Sequence, residues 1–258
     1  MANPHRFYIS DPLLPGSIQN LPGPVAHHIR KVLRLHNGET VHLWNGDGAY
    51  REAVLHFDAD GMRTQVSTQL PLQPHTSPRI TLVQALPEGD KMDWIIEKAC
   101  EAGVDRILPV QARRSVVRLS AERAAKRFEH WTRVAIAACS QCGRARLPQI
   151  GTVNAPLGAF ETVVAGHALA LLLSPAAELS AGTAVQQQLA RQAHSGDAES
   201  GDGIAIAIGP EGGWDPAEEA DAAHAGFTTV KLAGNTLRTE TAGLYVVAQI
   251  RAWAESYT

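Results

Sequence analysis

One stretch of ten residues constrains the fold of this chain most strongly, the segment IAIAIGPEGG at residues 204–213. Residues 204–208 contain no charge and place isoleucine at alternate positions, which is typical of a strand buried on both faces of a parallel sheet. A loop rich in glycine follows at once. Ligands of open α/β sheets bind where loops leave the carboxyl ends of the strands. The sequence therefore predicts a cofactor or substrate loop at residues 209–213.

Residues 79–258 are predicted to form one α/β domain, because strand-like and helix-like segments alternate along them. This β-α-β order implies a parallel sheet with right-handed crossovers. Buried strands are expected at residues 80–86, 104–110, 168–174, 204–208 and 227–232. Helices are expected after the caps Asp90, Ser120 and Asp215, and at about residues 157–164, 180–192 and 241–255. A flexible loop is expected after residue 192.

Apolar periodicity predicts the inward-facing sides of three of these helices. The residues expected to face inward are Met92, Ile95, Ile96 and Ala99, then Trp131, Val134, Ala135, Ala138 and Cys142, and finally Ala242, Tyr245, Val246, Ile250 and Trp253. Either Thr239 or Thr241 is expected to cap the last helix, since a threonine hydroxyl can accept a hydrogen bond from a backbone N–H of the first turn.

Residues 1–72 are predicted to form a separate β-rich domain, followed by a linker at residues 73–78 that is poor in regular structure. Strand-like runs occur at residues 6–9, 40–45 and 53–57. The segment Asn45-Gly46-Asp47-Gly48 predicts a hairpin, because Asn-Gly and Asp-Gly tolerate positive φ. A helix is expected at residues 25–33, with an apolar side formed by Val25, Ile29, Val32 and Leu33.

The composition, with 45% hydrophobic and 19% charged residues, is typical of a soluble globular protein. No apolar run approaches the ~20 residues that span a bilayer, and the amino-terminal segment lacks the layout of a signal peptide. We therefore expect a cytoplasmic protein without a membrane partner. The CxxC pair Cys139 and Cys142 has no further zinc ligands near it in sequence, so we expect structural thiols and no metal.

Charge is distributed unevenly along the chain, although the net charge is only -3. Residues 76–150 carry 13 Lys and Arg against 8 Asp and Glu, whereas residues 151–258 carry 4 against 12. A locally basic region can attract a polyanion even in an acidic chain, because the effect depends on the cations that face the phosphates. Ordinary surface charge explains the pattern equally well at this stage.

The helix that follows the 209–213 loop indicates which ligands the loop can hold. Asp215 suits the N-cap, Pro216 the first helical position, and Glu218 completes a capping box. A pyrophosphate at this helix terminus would meet carboxylates instead of unpaired amides. The loop also lacks the spacing of a P-loop or of a dinucleotide fingerprint. A neutral or cationic ligand is therefore favoured.

A second unusual loop, LAGNTLRTETAG, occupies residues 232–243. Arg238 and Glu240 are held where the last helix begins. In a purely structural interpretation, Arg238 pairs with a carboxylate and Glu240 satisfies the helix start. The ends of three predicted strands, at Ser174, Ile208 and Leu232, are expected to line one rim of the sheet.

Six stretches distributed along the chain match the pattern of one family. They are RFYI at residues 6–9, HHIRKVLR at 27–34, KMDWIIEKACEAGV at 91–104, VAIAACSQCGRARLP at 134–148, IGPEGG at 208–213 and LRTETA at 237–242. The chain resembles the 16S ribosomal RNA (uracil-N3)-methyltransferase family of the SPOUT class almost from end to end. It departs from the common family pattern LGxRILRTETA, because its glycine is displaced by one position and the first arginine is absent.

The resemblance implies a PUA-like barrel for RNA at residues 1–72, and a SPOUT methyltransferase domain with a deep trefoil knot at residues 79–258. It also implies S-adenosyl-L-methionine as cofactor, 16S rRNA of the small ribosomal subunit as substrate, and a homodimer. The cofactor carries a sulfonium cation and no phosphate, which agrees with the argument from the capping box.

The resemblance also implies roles for individual residues. Catalysis is assigned to Arg238 and Glu240. The residues assigned to the cofactor are Leu173, Ser174, Ile208, Gly209, Pro210, Glu211, Gly212, Gly213, Leu232, Ala233, Gly234, Leu237 and Thr239. The candidate RNA contacts are Arg6, Arg30, Lys31 and Arg34 in the barrel, with Arg113, Arg114, Arg144 and Arg146 in the next domain.

Methylation of uridine N3 requires removal of a proton and stabilisation of the charge that develops on the uracil oxygens. Our hypothesis gives that positive charge to Arg238, while Glu240 orients Arg238 or accepts the proton. Two alternatives remain open from the sequence. One is an RNA 2'-O-methyltransferase of the same class, and the other is a non-catalytic RNA-binding assembly factor with the same fold.

Overall fold

The computed structural model describes residues 4–58, 61–195 and 203–256. The flexible loop predicted after residue 192 falls mainly on residues 196–202, which lie outside the described residues. The chain divides into two compact units. The first consists of residues 1–74 and 136–147, and the second of residues 75–135 and 148–258.

The first unit contains a five-stranded mixed sheet with the order β1-β3-β4-β5-β2. Its strands are β1 (Arg6–Tyr8), β2 (Ile18–Asn20), β3 (Thr40–Trp44), β4 (Arg51–Asp58) and β5 (Gly61–Gln69). β1 and β3 are parallel, and the other neighbours are antiparallel. The sequence patterns found β1, β3 and β4 but missed β2 and β5. β5 buries few side chains, at alternate positions, and its polar residues hide that alternation.

The predicted hairpin is confirmed, because β3 and β4 pair antiparallel on either side of the Asn45-Gly48 turn. Gly46 and Gly48 have φ angles of 92° and 100°, a region that favours glycine. A Cβ on Gly48 would also overlap the guanidinium group of Arg146. Both glycines of the motif are therefore required by the backbone, as the sequence indicated.

The helix predicted at residues 25–33 is only partly correct. An α-helix α1 (Gly23–His27) continues as a π-helical segment, His28–Leu33. Ile29 is fully buried, but Val32 is 61% exposed, so its assignment to the apolar side was wrong. The i→i+5 hydrogen bonds of a π-helix change the angular spacing of side chains, and a pattern based on 3.6 residues per turn then fails.

The second unit is built on a six-stranded sheet with the order β11-β9-β10-β6-β7-β8. All its strands are parallel, as predicted, although the sequence patterns missed the two-residue strand β8 and gave no strand order. Its strands are β6 (Ile80–Ala85), β7 (Arg106–Val110), β8 (Gln149–Ile150), β9 (Leu169–Leu173), β10 (Ile204–Ile208) and β11 (Thr228–Val230). All five residues of β10 are buried, and parallel neighbours flank it on both sides. The interpretation of the IAIAI run is therefore confirmed.

The further helices are α2 (Lys91–Glu101), α3 (Ala121–Cys142), α4 (Pro156–Val164), α5 (Ala181–Ser195), α6 (Pro216–Ala225) and α7 (Thr239–Glu255). Each agrees with a predicted helix to within about two or three residues, which is the usual precision at helix ends. The inward side of α2 is as predicted, since Met92, Ile95, Ile96 and Ala99 are all buried. The Ser120 hydroxyl accepts a hydrogen bond from the Arg123 N–H at 3.4 Å, as expected of a cap.

Three expectations about the helices were wrong. Asp90 occupies the N-cap position of α2, but its side chain makes no capping hydrogen bond. Cys142, expected to face inward, is exposed, while Cys139 is buried. Tyr245 is 40% exposed, although α7 buries its neighbour Val246. Both Cys142 and Tyr245 lie at the margin of an apolar stripe, where periodicity alone cannot decide on which side of the boundary a residue falls.

One histidine of the first unit makes stability depend on pH. The imidazole of His42 packs against the ring of Tyr50, with centroids 5.7 Å apart. Burial lowers the pKa of His42 below its ordinary value of 6.5, with Glu52 opposing this and Arg6 adding to it. Protonation therefore favours the unfolded chain. The stability contributed by neutral His42 is complete above about pH 6.5 and declines as the pH falls below that value.

We expect the urea concentration at the midpoint of unfolding to be lower at pH 5.5 than at pH 7.5. In the variant His42→Gln, this difference between the two pH values is expected to be smaller. The measurement is an equilibrium urea titration of both proteins at the two pH values, followed by circular dichroism. An identical pH dependence in the two proteins would contradict the assignment to His42.

Candidate functional site

The second unit contains an open cleft of about 930 Å³ at the carboxyl ends of β6, β9, β10 and β11. This volume lies within the range of small-molecule sites, and the location is the one that parallel sheets favour. Of the residues assigned to the cofactor from the sequence, all but Ala233 line the cleft. Arg238 and Glu240 line it as well. The predicted rim of strand ends at Ser174, Ile208 and Leu232 is thus present.

The loop at residues 209–213 is shaped by its glycines and by a buried tryptophan. A Cβ on Gly209 would lie 3.2 Å from the backbone nitrogen of Trp214, closer than nearly all real Cβ contacts. The Gly213 N–H donates to the Pro210 carbonyl at 2.9 Å, with φ at 69°, and closes a tight turn. Trp214 is buried against Phe160, with ring centroids 5.7 Å apart. The loop therefore presents backbone, not side chains, over most of its length.

The capping box predicted at the start of α6 is present in full. The Asp215 side chain accepts from the Ala217 N–H at 3.1 Å, and the Glu218 carboxylate accepts from the Asp215 N–H at 3.0 Å. Glu218 is only 3% exposed and also accepts from the Arg113 N–H at 2.8 Å. The amides that would bind an anion at this helix terminus are occupied, so the cleft has no phosphate site there.

A buried chain of hydrogen bonds joins α7 to the cofactor loop. The Thr239 hydroxyl donates to the Gly209 carbonyl at 2.6 Å and accepts from the Gln84 side-chain amide at 3.1 Å. Gln84 is fully buried on β6 and Thr239 is 7% exposed. The expectation that Thr239 or Thr241 caps α7 was wrong, since the N-cap is Arg238 and no side chain caps that end. Thr239 uses its hydroxyl to fix the loop instead.

Arg238 and Glu240 do not pair with each other, so the structure does not support the alternative in which Glu240 orients Arg238. The exposed Arg238 side chain makes no hydrogen bond or ion pair with the residues that the structure describes. Glu240 instead faces Lys91, with its Oε2 3.9 Å from the ammonium. Among the described residues, the charge of Arg238 is thus unpaired at the cleft wall, while the charge of Glu240 is balanced by Lys91 of α2.

Lys91 is a charged residue of the cleft that sequence reasoning missed. Its ammonium lies 2.6 Å from Oε1 of Glu211, and the hydrogen bond between them raises the pKa of Lys91. Burial is the largest single influence on the pKa of Glu211 and raises it. The hydrogen bond from Lys91, the backbone hydrogen bonds and the charge of Lys91 together outweigh burial and lower that pKa. Both groups are charged at neutral pH. The position of Lys91 in the sequence could have indicated its role. Lys91 begins α2 just beyond the carboxyl end of β6, on the same rim as the two predicted loops.

The predicted RNA contacts fall into two groups. Arg113 and Arg114 belong to the second unit, where Arg114 donates to the Gly212 carbonyl at 3.2 Å and lines the cleft. The six in the first unit are Arg6, Arg30, Lys31, Arg34, Arg144 and Arg146. The sequence placed Arg144 and Arg146 in the second domain. They group with the first unit, because the end of α3 and the segment after it pack on residues 46–48 and Gln73.

Several of these cations have structural partners. Arg30 lies over the ring of Phe57 at 5.2 Å and donates to the Gly61 carbonyl at 3.3 Å. Arg6 lies over the ring of Tyr50 at 5.5 Å. Lys31 and Arg34 are exposed on the π-helical segment and just after it. Their charges are therefore open to solvent, whereas Arg6 and Arg30 contact other side chains or backbone of the first unit.

Neither a metal centre nor a membrane span is found in the described part of the chain. Within residues 4–58, 61–195 and 203–256, no three His, Cys, Asp or Glu side chains are grouped to hold a metal ion. Among the same residues, no helix combines the length and the apolar character needed to cross a bilayer.

Comparison with known proteins places these features in a family. Residues 75–251 match the family model of an RNA methyltransferase domain. Ribosomal RNA small subunit methyltransferase E of Bacillus subtilis is 30% identical over 90% of this chain and 88% of its own length. The protein of that name from Mycobacterium bovis is 31% identical, over 95% and 90% respectively.

A solved structure is similar to this chain in fold as well as in sequence. Ribosomal RNA small subunit methyltransferase E from Neisseria gonorrhoeae, crystallised with S-adenosyl methionine, superposes with a TM-score of 0.82 at 31% identity. The match covers 97% of this chain and 98% of that one. The family model and these relatives, together with the parallel sheet and the cleft at its carboxyl edge, identify the class of this protein as RNA methyltransferase. More particularly, the chain belongs to the family of ribosomal RNA small subunit methyltransferase E.

Proposed function

We propose that this protein transfers a methyl group from S-adenosyl-L-methionine to N3 of a specific uridine in 16S rRNA of the small ribosomal subunit. The observation that carries the proposal is the cleft, which is lined by both the 209–213 loop and the start of α7. A relative with the same fold was crystallised with this cofactor. Family membership supports the choice of ribosomal RNA and of base methylation.

The chemistry of the cleft fits this cofactor. Apolar side chains of Leu173, Ile208 and Leu237 supply walls for an adenine ring. The lining carries charges of both signs, so a sulfonium cation would meet carboxylates as well as cations there. The carboxylates are Glu211, Glu219 and Glu240, and the cations are Lys91, Arg114, Lys231 and Arg238. The capping box of α6 disfavours phosphate, which the cofactor lacks.

In the proposed complex the cofactor residues named above hold the nucleoside in place. S-adenosyl-L-methionine supplies an electrophilic methyl group. The protein contributes positioning, because its backbone loops hold the reacting groups in line and reduce the entropy cost of their encounter. Arg238, exposed at the cleft wall, supplies positive charge to the uracil oxygens as the N3 proton leaves. Glu240 accepts that proton.

Finer features of the architecture are part of the same proposal. Residues 1–72 are proposed to form a PUA-like barrel that binds RNA, and residues 79–258 a SPOUT domain with a deep trefoil knot. The functional protein is proposed to be a homodimer in the cytoplasm, where ribosomal subunits are available. The sequence resemblance supports each of these features.

RNA affinity is expected to fall steeply with salt, and the variant Lys31→Ala/Arg34→Ala is expected to show a shallower dependence. Each phosphate contact that is lost removes about one unit of slope from a plot of log affinity against log salt concentration. The measurement is a filter-binding titration with small-subunit rRNA between 50 and 300 mM KCl. Lys126→Ala, an exposed lysine that pairs with Glu122 on its own helix, is the control. A flat salt response of the wild-type protein would favour ordinary surface charge.

The proposed function is tested first by calorimetric titration with S-adenosylhomocysteine, the product form of the cofactor. We expect saturable binding with one site per chain. An absence of binding would contradict the enzymatic proposal and favour a non-catalytic assembly factor.

A further inference from the structure

Lys91 contacts both the 209–213 loop and the start of α7, although it lies on a third segment of the cleft lining. It is the first residue of α2, which follows β6, whereas Glu211 follows β10 and Glu240 is in the first turn of α7. Its ammonium lies 2.6 Å from Oε1 of Glu211 and 3.9 Å from Oε2 of Glu240. All three residues line the cleft. One cation therefore joins three elements that are distant in sequence.

The two carboxylates depend on this cation in different ways. Glu211 also accepts hydrogen bonds from the Glu88 N–H, at 3.1 Å to one oxygen and 3.4 Å to the other. Oε2 of Glu240 is buried and makes no hydrogen bond with any described residue, so the ammonium is its nearest compensation. Removing the ammonium would leave two carboxylates at the same end of the cleft with no cation between them, and like charges repel.

The hydrogen bond from Thr239 to Gly209 already joins the 209–213 loop to the start of α7 at a buried position. Lys91 makes a second connection between the same two segments, at a position that is about one-third exposed. Two connections at different points fix the relative orientation of two segments better than one does. The second connection is electrostatic, so a side chain of equal length but without charge cannot replace it.

We propose that Lys91 is a positioning residue of the methyl-transfer site, which holds the cofactor loop through Glu211 and the catalytic turn of α7 through Glu240. The inference rests on the proposed function. It assigns to Lys91 no contact with the reacting atoms. Lys91 acts on cofactor binding through one carboxylate and on turnover through the other.

The test compares Lys91→Met, Lys91→Arg and Glu211→Gln with a matched control. Lys98→Met is the control, because Lys98 lies on the same helix and pairs with two glutamates at 2.7 and 2.9 Å, both on α2 itself. Each protein is measured for its Kd for S-adenosylhomocysteine by calorimetry, for kcat on small ribosomal subunits at saturating cofactor, and for its thermal midpoint.

We expect Lys91→Met to raise the Kd about tenfold and to lower kcat about tenfold, as expected for loss of a partly buried charge partner. In Lys91→Arg, both the Kd and kcat are expected to stay within about threefold of wild type, since guanidinium keeps the charge and can bridge carboxylates. Glu211→Gln raises the Kd about tenfold and lowers kcat less than Lys91→Met does, because Glu240 keeps its partner. Lys98→Met changes neither quantity.

Two results would overturn the inference. One is a Lys91→Met protein with the Kd and kcat of the Lys98→Met control. The other is a failure of Lys91→Arg to rescue at an unchanged thermal midpoint, which would show that shape and not charge matters. A wild-type protein that binds no S-adenosylhomocysteine would instead overturn the proposed function itself, so the two failures are distinguishable.

Discussion

Arg238→Ala is expected to lower kcat about 10³-fold while leaving the Kd for S-adenosylhomocysteine within about threefold of wild type. The guanidinium lies at the cleft wall without a described protein partner, so its loss leaves no buried group unpaired. Its charge is needed only when negative charge develops on the uracil, and loss of one such donor typically costs 10²–10³ in rate. The measurement is single-turnover methyl transfer beside calorimetry.

Two further variants make the Arg238 result specific. Arg191→Ala removes an exposed arginine of α5 that does not line the cleft, and we expect unchanged turnover. Arg238→Lys keeps the charge but not the planar fork, and we expect intermediate activity. Normal turnover in Arg238→Ala would remove the arginine from the mechanism.

Thr239→Val is expected to weaken cofactor binding by about ten- to a hundredfold and to lower the thermal midpoint. The substitution keeps the shape of the side chain but removes its hydroxyl. The Gly209 carbonyl loses the Thr239 donor, and the Gln84 amide loses one of its two acceptors and keeps the Ala85 carbonyl. Each buried group left unsatisfied costs about 1–3 kcal/mol. Because Gly209 begins the cofactor loop, most of this cost is expected to appear as a higher Kd for S-adenosylhomocysteine.

The chain offers a matched pair of controls for Thr239. Thr239→Ser retains the hydroxyl and is expected to bind the cofactor within about threefold of wild type. Thr241→Val alters an exposed threonine in the same helical turn and is expected to change nothing. If Thr239→Val bound the cofactor as tightly as Thr241→Val, the hydrogen bond to Gly209 would not govern the loop.

The sequence predicted the sheet and its cleft because both depend on local patterns. The buried run of β10, the capping box at Asp215 and the glycine turns are readable from short segments, and their outcomes follow from backbone sterics and burial. The same reasoning failed where two remote segments meet. The bonds from Thr239 to Gly209 and from Lys91 to Glu211 join residues far apart in the chain, which no periodicity reports.

The partner of Glu240 shows the same limit, because the sequence did not indicate Lys91. Its sequence neighbour Arg238 is the obvious cation in RTET, and the first turn of a helix is a natural place for a carboxylate. The fold instead brings Lys91 from another strand-helix connection to Glu240. Strand order decides which loops meet at the edge of a sheet, and here β10 lies between β9 and β6.

The most direct measurement of the central claim is nucleoside analysis of small-subunit rRNA after incubation with the purified protein and S-adenosyl-L-methionine. Small subunits and naked rRNA are digested and examined by mass spectrometry, with the modified position mapped by reverse-transcription stops. The proposal predicts N3-methyluridine at a single site, dependent on cofactor and absent with Arg238→Ala. A 2'-O-methylated nucleoside, or no methylation of either substrate despite cofactor binding, would contradict it.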